Sequence, residues 1–357
     1  MKNKRTVAIF ALIVAIIAVA TVAIVFAQDV PFEDALRNQI IQAQERAAET
    51  AAELQRTDQI TTVLCGTASP AANTGAQSCT AVFVNGQFLL FDIGNNAMQS
   101  MMDSNIPLQE VDAVFITHYH NDHYAELGEV MEWSWINGRR HILPIHGPTG
   151  LTQIVDGFWS AYELERSYRT AHHGAEVMPP EWSGVEAFEF VAPEGDAPMV
   201  VYENDGVTVE AFRATHEPIH PAVGYRITYA DTLIVISGDT VLTSAVIANS
   251  QDADLLVAEV MNMSAIEVME DTLREIGQED AAQIFFDIRD YHMDVSDVAR
   301  LAEDANVERL ALTHLAPYVQ SRLQLNALFV DPIREVYEGE IFAGEDGLTI
   351  VIPVSQQ

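Results

Sequence analysis

Short apolar runs, each closed by a polar or glycine-containing stretch, recur along this chain from residue 60 onward and predict a series of strands. Residues 60–64, 80–84, 88–91, 113–116, 141–145, 207–213, 233–236 and 310–312 are runs of this kind. Asn85-Gly86 is a hairpin-turn signal and folds 81–84 back onto 88–91. Between the runs, 125–136 reads as a helix, and His146-Gly147-Pro148 reads as a turn. Residues 32–55 hold Phe32, Leu36 and Ile40 at helical spacing, then mostly alanine, which predicts a weakly amphipathic helix. That helix packs on the domain or on a second copy in a homodimer, and its sequence does not choose between them. Strand, strand, helix, strand in this order predicts stacked α/β layers.

The start of the chain has a different pattern. Lys2, Lys4 and Arg5 precede an apolar run from 7 to 27 broken only by Thr21, which predicts a signal peptide ending near Ala27. The same run is long enough to cross a bilayer as an uncleaved anchor. The expected division is therefore 1–27 leader or anchor, 28–58 helical segment and 59–357 main domain, with a periplasmic or extracellular location. Cys65 and Cys79 flank a small, polar loop. In an oxidising compartment they can be bridged, and two separate buried thiols are the alternative. The 18 basic against 52 acidic residues give a formal charge of −34, which repels phosphate backbones and makes nucleic acid an unexpected partner.

Candidate chemistry concentrates at the ends of the predicted strands. Thr117-His118-Tyr119-His120-Asn121-Asp122-His123 follows the run 113–116. In extended chain His118 and His120 share a side, which makes half of a metal site, and Asp122 and His123 serve a second position. This mixture of imidazole and carboxylate suits zinc and other divalent ions. His216, Asp239 in Ser237-Gly238-Asp239, and His314 each lie just past another apolar run. Binding residues collect on loops held by a rigid scaffold, so these three join the set. Asp92, at the end of 88–91, is a turn former or an acceptor for the second N–H of a ligand imidazole. The aromatic stretch 151–173 is either helix core or one wall of a substrate pocket, with Tyr168, His172 and His173 as substrate contacts.

These residues, in this order, resemble the metallo-β-lactamase superfamily of hydrolases over roughly residues 61–353. The resemblance implies a four-layer αβ/βα sandwich and two zinc ions per chain. It places His118, His120 and His216 on one ion, Asp122, His123 and His314 on the other, and Asp239 between them. The segment 216–226 is similar to ribonuclease Z-like and arylsulfatase-like members. Tyr291-His292, a helix over 295–305 and 312–317 are similar to the arylsulfatase-like group. From that similarity His292 is expected as a catalytic acid or oxyanion contact beside Asp122, and Glu259 as a carboxylate behind the ligands. Ribonuclease Z enzymes carry His-Glu where this chain has Ala258-Glu259, which counts against RNA. The expected function is accordingly an exported dinuclear hydrolase of small sulfate or phosphodiester esters. A ribonuclease Z-like endonuclease, a lactone hydrolase and a non-catalytic metal-binding protein are the alternatives.

Overall fold

The computed structural model describes residues 31–70, 72 and 74–354, so the leader predicted at 1–27 lies outside the described residues. Helix α1 (Phe32–Leu54) precedes β1 (Gln59–Gly66), β2 (Cys79–Val84), β3 (Gln87–Phe91), α2 (Ala97–Asp103) and β4 (Val111–Phe115). Then come α3 (Asn121–Tyr124), α4 (Leu127–Asn137), β5 (Leu143–Pro148), α5 (Leu151–Ala161), α6 (Glu163–His173) and β6 (Val185–Phe190). The second half opens with β7 (Met199–Asn204), β8 (Val207–Arg213), β9 (Val223–Tyr229), β10 (Thr232–Ile236), α7 (Ser244–Asn249) and β11 (Leu255–Met261). It closes with α8 (Met263–Glu275), α9 (Glu279–Asp287), α10 (Val295–Asp304), β12 (Arg309–Ala316), β13 (Glu340–Phe342) and β14 (Leu348–Pro353).

The strands form two seven-stranded sheets, ordered β14-β1-β2-β3-β4-β5-β6 and β13-β12-β11-β10-β9-β8-β7. Alternation along the strands explains why the sheets stack. In β11, Leu255 and Val257 enter the core between the sheets, while Leu256, Ala258 and Val260 enter the core beneath α10. In the first sheet Phe91 and Phe115 face inward against Tyr225 of β9, and Leu90 and Val114 face outward against α4 and α5. Helix, sheet, sheet, helix is the four-layer sandwich that the resemblance implies.

Element existence follows the hydrophobic pattern, and the differences have local causes. Asn85 and Gly86 both have positive φ (49° and 73°), the left-handed pair that a two-residue hairpin loop requires. The helix expected at 125–136 is present as α4, and a further short turn, α3, precedes it and holds Asp122 and His123. Strand β5 runs on through His146-Gly147-Pro148, where a turn was expected, because β6 pairs with it as far as Pro148 against Phe190. Helix α1 buries only Ala35 and Leu54. Among the described residues no helix is long and apolar enough to cross a membrane.

Cys65 and Cys79 are bridged, and both are buried. The loop they close is fastened twice more. Asp346 accepts from Thr67 N, Thr67 Oγ1 and Ala76 N at 3.0, 2.8 and 2.8 Å, and Leu315 N donates to Thr67 O at 2.8 Å. Closing so short a loop contributes about 3 kcal/mol on the chain-entropy model. A C65A/C79A variant is therefore expected to unfold several degrees lower in a thermal melt, and an unchanged melting temperature would show that the other fastenings suffice.

Candidate metal centre

The first half of the site hangs from Asp92, at positive φ (55°) where β3 ends. Its Oδ1 accepts from Thr117 N at 2.8 Å, and its Oδ2 accepts from Thr117 Oγ1 and from His123 Nδ1, each at 2.8 Å. With its proton given to Asp92, the Thr117 hydroxyl is left to accept from His118 Nδ1 at 3.1 Å. One buried carboxylate thus orients both imidazoles through Nδ1 and leaves each Nε2 as the nitrogen that can face a cation once it carries no proton. Those two Nε2 atoms are buried and have no hydrogen-bond partner among the described residues. Asp92 therefore acts as an acceptor behind the ligands. Asp92→Asn is expected to weaken metal binding about 10- to 100-fold, measured by titration against a chelating dye.

The second half comes from the other sheet, and buried bonds fix the two halves together. Val223 N donates to Thr117 O at 3.0 Å, and Tyr225 Oη donates to Ile116 O at 2.7 Å. His216 gives its Nδ1 proton to Tyr291 O at 2.9 Å, and its Nε2 stands 3.3 Å from His120 Nδ1. Gly238, at φ 60°, lets the chain turn into Asp239, since a Cβ there would lie 2.6 Å from Val223 O. His314 lies inside β12 instead of beyond it, at φ 48°. The β11–β12 register shifts between Glu259 and Met261, beside this left-handed residue, which turns the imidazole into the site.

One oxygen of Asp239 occupies the middle. Its Oδ2 is 3.2 Å from His123 Nε2, 3.3 Å from His314 Nε2, 3.8 Å from His118 Nε2 and 3.9 Å from His216 Nε2, and it has no hydrogen-bond partner among the described residues. Donor atoms of His118, His120, His216 and Asp239 lie within 4.8 Å of one another, and so do those of Asp122, His123 and His314. Two converging sets of buried nitrogen and oxygen donors, with unpartnered atoms aimed at common points, fit a pair of divalent cations. Electrostatics agree. Burial drives His118 well below the usual histidine range and His216 to about 4. Burial also opposes charge on His123 and His314, but Asp239 and Asp122 outweigh it. They hold His123 well above its ordinary value and raise His314 to about 9. Against burial, His123 and His314 hold Asp122 at about 2. Protons on His123 and His314 stand where a cation would, so metal affinity rises with pH as they are lost.

Beyond the donors, His292 gives Nδ1 to Glu259 Oε2 at 3.2 Å, and Glu259 Oε1 accepts from Met293 N at 2.9 Å. A donor atom of His292 also lies within 4.8 Å of donors on Asp239 and His314. This pairing across 33 residues is invisible in the sequence. His220 is exposed, stands 3.8 Å from Glu217 and belongs to neither donor group. Tyr168, His172 and His173 are not brought to the centre. They sit on α6, where Tyr168 is 63% exposed and His172 and His173 touch each other, and none lines the clefts beside His292. Of the same aromatic stretch, Phe158 and Trp159 pack on the outer core of the first sheet.

A family model described as a beta-lactamase superfamily domain matches residues 88–315, well over half the chain. Ribonuclease Z of Mycobacterium bovis (strain BCG / Pasteur 1173P2) is 33% identical over 260 residues, 72% of this chain and 86% of that protein. The chain belongs to the metallo-β-lactamase superfamily, in its ribonuclease Z-like branch. Ribonuclease Z of Mycobacterium sp. (strain KMS) is 31% identical, over 72% of this chain and 85% of that protein. Two solved structures share the fold. The metallo-β-lactamase fold protein YhfI from Bacillus subtilis has a TM-score of 0.58 at 22% identity, covering 82% of this chain and 100% of that one. The human short-form tRNase Z has 0.57 at 21%, also covering 82% and 100%.

Membership of this branch makes the chain a metal-dependent hydrolase and overturns two expectations. The reading as an exported hydrolase of small sulfate or phosphodiester esters does not stand against curated relatives that are ribonucleases. Nor does the exclusion of nucleic acid, which rested on the charge of the whole chain and on Ala258. Ala258 faces the core beneath α10 and is fully buried, whereas Glu259, one residue on, faces the donors. A histidine at 258 would point away from the metals, so its absence takes nothing from the site.

Proposed function

We propose that this chain is a ribonuclease Z-like endonuclease that hydrolyses a phosphodiester bond in structured RNA of the tRNA-precursor type, with zinc as both cations. The carrying observation is the ribonuclease Z identity, which extends over most of the relative, in a chain that brings together both donor groups and the Glu259–His292 pair. When bound, the two cations would lower the pKa of water, making a nucleophile available, and would stabilise charge on the phosphoryl oxygens. The protein's own residues do the rest. Asp239, between the two donor groups, fixes their separation. Glu259 holds the His292 ring by Nδ1, which leaves Nε2 to pass a proton to the departing oxygen as the P–O bond breaks.

RNA must approach against the field of the molecule. No lysine follows Lys4, and the cleft beside His292 that holds Arg289 and Arg300 also holds Glu267, Asp290, Asp294 and Asp297. Arg289 is itself bound to Glu267 and Glu270 at 2.9 and 3.0 Å. A basic RNA-binding protein loses affinity steeply between roughly 0.05 and 0.2 M salt. Here kcat/KM is expected to stay level or rise over that range, and to rise with Mg2+, because added ions screen repulsion. The deciding experiment is cleavage of a precursor tRNA. One endonucleolytic cut, lost on chelation and restored by Zn2+, is expected. An uncut precursor under conditions where the protein hydrolyses an activated aryl phosphodiester would defeat the reading.

A further inference from the structure

A second cleft opens beside the metal centre and is used by nothing described so far. It has a volume of about 520 Å3, within the usual size of small-ligand pockets, and His292 and His314 stand at its inner end. Its floor is apolar. Met261, Ile266 and Ala316 are buried there, with Met269, Phe285 and Ile288 of the α8–α9 hairpin region half-buried against them. Tyr318 brings a second ring to the wall.

The opposite wall carries two hydroxyls, that of Thr74, which accepts from Gln320 Nε2 at 3.4 Å, and that of Ser69. Ser69 is only 3% exposed, lines the cleft, and its Oγ has no hydrogen-bond partner among the described residues. A buried hydroxyl without a partner is costly unless a ligand supplies one. Its position is fixed from both sides. Ala68 bridges to Leu315 of β12, and the Cys65–Cys79 disulfide closes the loop that carries Ser69. The cleft is therefore mainly apolar, with Ser69 Oγ as a buried hydroxyl that has no partner among the described residues.

Resting on the ribonuclease Z-like reading above, we propose that this cleft is the subsite for one unstacked nucleobase, that of the nucleotide bearing the departing oxygen. The side of cleavage follows from His292. His292, which gives a proton to the departing oxygen, lines both this cleft and the charged cleft that holds Arg289 and Arg300. Of these two only this one is mainly apolar, so the base of the nucleotide bearing that oxygen is assigned here. Single-stranded bases are recognised by stacking on apolar and aromatic side chains and by hydrogen bonds to their edges. Phe285 and Tyr318 provide rings, and Ser69 Oγ meets one polar atom of the base edge.

The test compares three RNA substrates with the full-length, zinc-loaded protein. One is intact, one lacks the base on the nucleotide that bears the departing oxygen, and one lacks the base on the other side of the scissile phosphate. Loss of the first base is expected to lower kcat/KM about 10- to 100-fold, and loss of the second to have little effect. Met269→Trp, which fills the cleft, is expected to bring the intact substrate down to the level of the first abasic one and to leave that abasic substrate unchanged. Ser69→Ala is expected to flatten the preference among the four bases at that position. Equal cleavage of all three RNAs by the native protein overturns the subsite while the ribonuclease reading stands. So does a greater loss on the other side, or a Met269→Trp effect that is the same for every substrate. Failure to cut any RNA removes the ribonuclease reading, and the subsite with it.

Discussion

Asp239→Ala is expected to lower kcat on RNA by on the order of 10^3-fold or more, the equivalent of several kcal/mol of lost charge stabilisation. Bound zinc should fall below two per chain in metal analysis. The effect is large because one oxygen of this side chain lies within 3.9 Å of imidazole nitrogens from both donor groups. Its removal also leaves His123 and His314, both held above their ordinary pKa by Asp239 and Asp122, with one counter-charge fewer in a buried site. Asp239→Asn separates charge from shape, since it keeps the volume and one oxygen. A variant that retained two zinc ions and native kcat would remove Asp239 from its central position.

His292→Ala is expected to act differently. Turnover on RNA should fall by on the order of 10^2- to 10^4-fold, the usual range for loss of a general acid, while both zinc ions remain bound. An activated aryl phosphodiester, whose leaving group departs without a proton, should be hydrolysed at close to the native rate. Glu259→Gln should reproduce a weaker version of the same split, because it loosens the ring without removing it. Equal losses on both substrates would mean that His292 supports the metals instead of the leaving group.

The donors were legible in the sequence because each follows an apolar run, and a run that becomes a strand delivers its end to one rim of a sheet. The hairpin at Asn85-Gly86 was legible for a similarly local reason, since the residue pair itself sets the backbone. What failed was non-local. Glu259 and His292 meet only because β11 and the segment before α10 adjoin, and nothing in their spacing says so. Comparison by position alone made Ala258 look like a lost catalytic group, whereas strand alternation turns that position toward the helices. Net charge misled as well, because −34 describes the long-range field of the entire chain and says little about a site whose electrostatics are set by two cations. The disulfide was readable only as one of two possibilities, since pairing depends on β1 and β2 bringing Cys65 and Cys79 to a Cα separation of 4.9 Å.

The pairing of β14 with β1 bears on how the polypeptide is made. Every donor through His314 has been synthesised before residues 348–353 emerge from the ribosome, yet until they do, β1 lies at the open border of the first sheet. Such a border offers unpaired backbone groups to any neighbouring strand, including one from another nascent copy. A translation product ending between those two points would hold all its donors and still be prone to self-association. The full set of donors and the protection against aggregation therefore arrive at separate moments of synthesis.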